Sequence, residues 1–227
     1  MMIDMKIKMC LLMIGLITFG FSLQGKEKSQ FIRNLESGKK QTLVTYGTSL
    51  TSHGAWVKQL QSELKKKFSG KARLINSGKS GMWSKWGVDN LDTRVIAKQP
   101  DTVLIEFSMN DAHTKYSMTV AKARNNLENM IERILKHNHK CEIILMVMNP
   151  AVGKFSKVRP DLLAHYQMYR DVAKERNLLL IDHYQNWKKL LDKSPDQFKK
   201  LVPDGVHPTS KGCIDIITPE MIKSLGM

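Results

Sequence analysis

From residue 41 onward the chain repeats one pattern, a short apolar run followed by a longer amphipathic one. The apolar runs are TLVTYG (42–47), ARLINSG (72–78), TVLIEFS (102–108), CEIILMVMNP (141–150) and LLLIDHY (178–184). Between the first two lies GAWVKQLQSELKKKF (54–68), with Trp56, Val57, Leu60, Leu64 and Phe68 at helical spacing. Further helices are expected over 88–98, stopped by Pro100, over 119–137, over 160–177, and in the C-terminal stretches NWKKLLDK and SKGCIDIITPEMIKSL. Strands that alternate with helices imply βαβ units with right-handed crossovers. The third run hardly alternates, as expected for a strand covered on both faces. The predicted fold class is α/β, a three-layer α/β/α arrangement around a five-stranded parallel sheet. In such sheets the ligand site lies beyond the carboxyl ends of the strands.

With 227 residues, 42% of them hydrophobic, the chain can bury one real core. It has no internal repeat, low-complexity tract or long linker. The first 25 residues differ from the rest. MMIDMKIK carries Lys6 and Lys8, MCLLMIGLITFGF is an apolar run short for a membrane span, and SLQG returns to small and polar residues. This is the order of a secretory signal peptide. The expectation is a signal over 1–25, cut near Gly25, then a single domain over 26–227, secreted or periplasmic, with no stable membrane insertion after cleavage. The other reading of this segment is an uncleaved anchor. Cys10 precedes most of the apolar run, which argues against a lipoprotein site. Cys141 and Cys213 remain, expected as buried free thiols, and no Cys/His spacing suggests a metal site. The net charge is +15, and loss of Lys6, Lys8 and Asp4 with the signal leaves +14. The lysines are scattered and few aromatics interleave with them, so no nucleic-acid motif emerges. The charge is either a solvated surface or an attraction to an anionic partner such as an acidic polysaccharide or a membrane surface.

The residues after each strand are where chemistry is expected. After the first come Gly47, Thr48, Ser49 and Thr51, where a serine hydroxyl can sit on a strand-to-helix turn, or where one of the three hydroxyls simply caps the helix. After the second, Gly78 and Gly81 let backbone N–H groups approach a ligand, or form an ordinary turn. No Gly-Lys-Ser/Thr follows, so this is not a phosphate loop. After the third, the Asn110 amide can donate to a developing oxyanion, while Asp111 can anchor the loop. Near the C-terminus, VPDGVHPTSKG places Asp204 three residues before His207. An acid at that distance can hold an imidazole in one tautomer.

Each feature alone is as well explained by structure. Their order along the chain resembles the SGNH hydrolases, the GDSL-type esterases and lipases, over nearly all of residues 42–225. YGTSLT is similar to the family's first block, NSGKSG to its second, SMNDA to its third and DGVHP to its fifth. The resemblance implies a flavodoxin-like SGNH hydrolase fold and a Ser49–His207–Asp204 triad. It also implies an oxyanion hole from Ser49, Gly81 (with Gly78 in reserve) and Asn110, and no metal or cofactor. Two positions depart from the family: Thr48 stands for the acid of Gly-Asp-Ser-Leu, and Ser108 for the glycine of Gly-x-Asn-Asp. The implied activity is hydrolysis of short acyl esters, acetyl in particular, on a small molecule or an extracellular and sometimes anionic glycan. Lys79, Trp83, Trp86, His113 and His53 are candidate substrate contacts, Trp faces being suited to sugar rings. Lysophospholipase or thioesterase activity, or non-catalytic binding of anionic glycans, are the alternatives.

Overall fold

In the computed structural model, which describes residues 28–227, the five apolar runs form one parallel sheet of order β2-β1-β3-β4-β5. The strands are β1 (Gln41–Gly47), β2 (Ala72–Asn76), β3 (Thr102–Glu106), β4 (Glu142–Val147) and β5 (Leu179–Asp182). The helices in chain order begin with α1 (Gln30–Glu36), α2 (Ser49–Ser52), α3 (Ala55–Phe68) and α4 (Ser84–Arg94). They continue with α5 (Ser108–Asp111), α6 (Val120–His137), α7 (Lys154–Lys157) and α8 (Leu162–Glu175). The last four are α9 (Tyr184–Lys193), α10 (Pro195–Leu201), α11 (Ser210–Gly212) and α12 (Thr218–Leu225). The predicted signal peptide lies outside the described residues. Among those residues no helix is long and apolar enough to cross a membrane.

The predicted α/β class and parallel sheet are what the chain adopts. β1, β3 and β4 occupy the middle and are buried almost throughout, whereas the edge strand β2 has exposed positions and the edge strand β5 is mostly half-buried. That is why the third run reads as continuous apolar sequence. α4, α6 and α8 pack on one another over one face, and α3 packs with α12 over the other. The chain turns back at β1, so β1 and β3 lie side by side with Gly47 level with Glu106. This is the topological switch point, where a crevice opens beyond the strand ends. Ser49 follows β1 and Asn110 follows β3, so the two blocks separated by sixty residues of sequence meet there by topology.

Some element bounds differ from the sequence expectation, for physical reasons. The helix expected over 88–98 begins instead at Ser84, because the Asp111 carboxylate accepts from Ser84 N–H at 2.8 Å and serves as its N-terminal acceptor from another strand end. It ends at Arg94, and a 3₁₀ turn over Ile96–Lys98 completes the approach to Pro100. α1 and α10 were not expected; α10 starts with Pro195, whose fixed φ suits the first helical turn. The C-terminal helix is interrupted by a π-helical turn over Cys213–Ile217. Cys141 and Cys213 are both free and buried.

Candidate active site

Ser49 opens α2. Its neighbour Thr48 is the helix cap, with Oγ1 accepting from Leu50 N–H at 3.1 Å. This frees the Ser49 hydroxyl, which lies 2.8 Å from His207 Nε2. His207 Nδ1 lies 2.6 Å from Asp204 Oδ2. The other Asp204 oxygen accepts from His207 N–H at 2.7 Å and Val206 N–H at 2.9 Å. Burial disfavours the Asp204 anion, but these hydrogen bonds outweigh it and hold the carboxyl below its ordinary range. An ionised carboxylate only accepts, so the proton between the pair belongs on Nδ1, and Nε2 is left to accept from the Ser49 hydroxyl.

The loop that carries the Asp–His pair is tied to the end of β4. Asn149 Nδ2 donates to Val206 O at 2.9 Å, and Val152 N–H donates to Gly205 O at 2.9 Å. Gly205 has φ +90°, and a Cβ there would lie 2.7 Å from Val152 O. Gly205→Ala is therefore expected to cost about 1–3 kcal/mol of stability and to lower turnover by shifting His207. Denaturant unfolding beside an ester assay checks this; an unchanged midpoint would count against the strain.

The second block distinguishes its two glycines. Gly78 N–H donates to Asn76 Oδ1 at 3.0 Å, and a Cβ on Gly78 would meet Ser52 N at 2.7 Å. Gly78 thus serves close packing against α2. Gly81 has φ +74°, nothing within 4 Å of a Cβ position, and a carbonyl held by the Tyr116 hydroxyl. Its N–H, like that of Ser49 at the start of α2, has no acceptor among the described residues. Asn110 Nδ2 donates to Met82 O at 2.8 Å, which ties the third block to the loop of the second and leaves one amide N–H. Arg159 steadies the same turn by donating to Met109 O at 2.9 Å.

The remaining candidates fare differently. Trp83 stacks on Tyr116, with ring centroids 4.5 Å apart, beside Gly81. Lys79 is exposed on the same loop. His53 caps α2 and lines the cavity at Ser49. His113 Nδ1 accepts from Lys115 N–H at 3.2 Å, and burial, Arg159 and Lys115 hold its pKa below the usual value. Trp86 packs on Tyr46 with the Arg94 guanidinium 5.1 Å over its ring, and it is not among the residues lining the cavity.

That cavity, about 330 Å³, runs beside Ser49 and His207 between the α2–α3 turn and the C-terminal helices. Its walls include Leu50, Trp56, Met148, Cys213 and Ile217; in the sequence Trp56 and Cys213 stand out only as core residues, and none of the five as a site candidate. Two buried acids were also missed or underread. Glu106, at the end of β3, and Asp111 are both pushed up to about 7, chiefly by burial. Asp111 bridges to α4 rather than shaping only its own loop. The available signal for Glu106 was the acid itself, standing in a run otherwise fit only for a core.

Raised acids bind protons on folding. Between the ordinary carboxyl range and about 7 the folded chain holds more protons than the unfolded one. The stabilising contribution of both groups is full below that window and is lost as pH rises through it. Glu106→Gln, neutral at every pH, should therefore gain stability relative to the parent between about pH 5 and about pH 8. Thermal midpoints at both values test this; a constant difference would show that Glu106 does not titrate there.

Residues 44–213 match the GDSL-like Lipase/Acylhydrolase family. No curated protein matches the sequence. Among solved structures, Axe2, an acetylxylan esterase from Geobacillus stearothermophilus, superposes with a TM-score of 0.72 at 20% identity, over 83% of this chain and 95% of that one. LAE5, an alpha/beta hydrolase enzyme from the metagenome of Lake Arreo, Spain, gives 0.69 at 20% identity over 83% and 96%. With the family matched over three quarters of its length and its sheet order in place, the chain belongs to the GDSL-like lipase/acylhydrolases, the SGNH hydrolases, a family of carboxylic ester hydrolases.

Proposed function

We propose that this esterase removes short acyl groups, acetyl in particular, from an extracellular carbohydrate. The observation that carries the reading is the unbroken chain Ser49 Oγ–His207 Nε2 and His207 Nδ1–Asp204 Oδ2, at 2.8 and 2.6 Å. His207 takes the Ser49 proton as the serine oxygen attacks the ester carbonyl. Asp204 orients the ring and stabilises the imidazolium. The N–H groups of Ser49 and Gly81 and the Asn110 amide receive the oxyanion, each such donor being worth on the order of 10²–10³ in turnover. The alcohol leaves with the proton from His207, and water then releases the acyl group from Ser49.

A carbohydrate is favoured by the openness of the site. His207 and Asp204 keep 45% and 44% of their side-chain surface exposed, so a bulky alcohol can reach Ser49 without a lid moving. The Trp83–Tyr116 stack offers an aromatic surface beside Gly81 on which a sugar ring can lie. Lys79 and the net positive charge suit an anionic glycan. The acetylxylan esterase named above, distant as it is, acts on this substrate class. Export through the N-terminal segment would place the enzyme among such polymers.

One observation favours a second reading, lysophospholipase or thioesterase: the apolar walls of the cavity beside Ser49 could hold a longer acyl chain. The test is acetate release from acetylated xylo-oligosaccharides beside hydrolysis of p-nitrophenyl acetate, p-nitrophenyl octanoate and a lysophospholipid. Release of acetate with poor octanoate turnover supports the proposal. Ready cleavage of lysophospholipid with no acetate from any glycan overturns it. Salt-sensitive glycan binding with no reaction of Ser49 towards a phosphonate would instead indicate a binding protein.

A further inference from the structure

Glu106 has no step in the acyl transfer proposed above, yet it lies beneath the turn that carries Ser49. Its Oε2 accepts from Thr48 N–H at 3.1 Å, from Thr48 Oγ1 at 2.8 Å and from Thr51 Oγ1 at 3.2 Å. Thr48 Oγ1 in turn accepts from Leu50 N–H. The residues on either side of Ser49 are thus fixed through one carboxylate, while the Ser49 hydroxyl is left to His207. The fit is close: a Cβ on Gly47 would fall 2.8 Å from Glu106 Oε2 and 2.4 Å from its backbone oxygen.

The arrangement is costly. Glu106 is fully buried, its Oε1 has no partner among the described residues, and the ionisable groups there that act on it are acids: Asp111 from α5, and Tyr166 and Tyr169 from α8. A fully buried carboxyl without a cation weakens a fold unless something else is gained. The departure at Thr48 now has a physical setting. An acid at 48 would bring a second carboxyl onto Glu106 in the same buried site, where two like charges repel. A threonine offers that carboxyl two donors.

We propose that Glu106 is a positioning residue for Ser49, holding the nucleophile turn through Thr48 and Thr51 so that the Ser49 hydroxyl and N–H face the reacting carbonyl. The inference rests on the esterase reading of the site. The test uses Thr48→Val, Thr48→Ser, Glu106→Gln and the Thr48→Val/Glu106→Gln pair. For each, kcat and KM on p-nitrophenyl acetate, the rate at which a phosphonate labels Ser49, and the thermal midpoint are measured.

Loss of the threonine hydroxyl should lower kcat by on the order of 10²-fold, the scale of a small misplacement of a reacting group, with KM nearly unchanged. Thr48→Ser should restore most of the rate. Glu106→Gln should lose about tenfold in kcat above neutral pH, where its stability relative to the parent is expected to be higher than in acid, so a loss of rate that persists there separates positioning from stability. The paired variant should lose little beyond Thr48→Val, because the two side chains act as one unit. If the folded variants turn over within about twofold of the parent, or the losses fall on KM alone, the inference is overturned. If Glu106→Gln does not fold, the two Thr48 variants decide it. A parent inert to both ester and phosphonate would overturn the esterase reading, and this inference with it.

Discussion

Ser49→Ala should reduce kcat on p-nitrophenyl acetate by at least ~10⁴-fold, the scale seen when a catalytic nucleophile that works as a unit with its base is removed. Among the described residues the Ser49 hydroxyl bonds only to His207, so no other contact there depends on it. Thr48, not Ser49, caps α2, and the substitution leaves that cap and its Glu106 support in place. The thermal midpoint and KM should therefore stay close to the parent's. A serine that merely capped the helix would behave in the opposite way, costing about 0.5–2 kcal/mol of stability and leaving turnover intact. Stopped assays at equal folded concentration, with midpoints recorded on the same samples, separate the two. Turnover by Ser49→Ala within tenfold of the parent would remove Ser49 from the chemistry and leave His207 and Asp204 without a substrate-facing partner.

What the sequence made legible was periodicity and chain order. Five apolar runs of strand length, spaced by helical ones, leave a parallel sheet as the way to bury them, whereas the order 2-1-3-4-5 is set by tertiary packing and only the flavodoxin-like resemblance pointed to it. Position after strand ends made Ser49, Asp204 and His207 candidates, the family resemblance grouped them as a triad, and the structure links the three through hydrogen bonds. Less legible were contacts made across the sheet. Ser84 begins α4 because Asp111, from the end of another strand, accepts its N–H, and no local spacing encodes that. Glu106 passed as part of an apolar strand because periodicity weighs a run as a whole. Its meaning arises only when β1 is set beside β3 and Gly47 lies level with it. Trp86 shows the converse. In sequence it stands beside Trp83 in one loop, but helix α4 starts early and turns Trp86 onto Tyr46 and Arg94, whereas Trp83 precedes that helix and stacks on Tyr116.

Asp204→Asn should be nearly as damaging as loss of the nucleophile, for a different reason. Asn Oδ1 can keep both backbone bonds that Asp204 makes, to Val206 N–H and His207 N–H, so the loop should hold its shape. The new NH₂ would face His207 Nδ1 from the position of Oδ2, 2.6 Å away. Two donors cannot share that contact, so the ring is driven to carry its proton on Nε2 instead. Nε2 then donates towards Ser49 and can no longer accept its proton. The expected fall in kcat is about 10⁴-fold with KM little changed, the magnitude associated with a wrong tautomer. Asp204→Ala should lose stability as well, because it also releases the two backbone donors, each bond being worth about 1 kcal/mol. The pair of variants thus separates orientation from loop anchoring. The exposure of this site adds a further condition. Asp204 and His207 are open enough that water screens their mutual charge, so electrostatic stabilisation of the imidazolium is weaker than it would be in a closed site. Choosing the tautomer does not depend on that screening. If Asp204→Asn retains turnover within about tenfold of the parent, solvent is setting the tautomer and the acid is only a loop anchor. A loss near 10⁴-fold with an unchanged midpoint assigns Asp204 to orientation of the base.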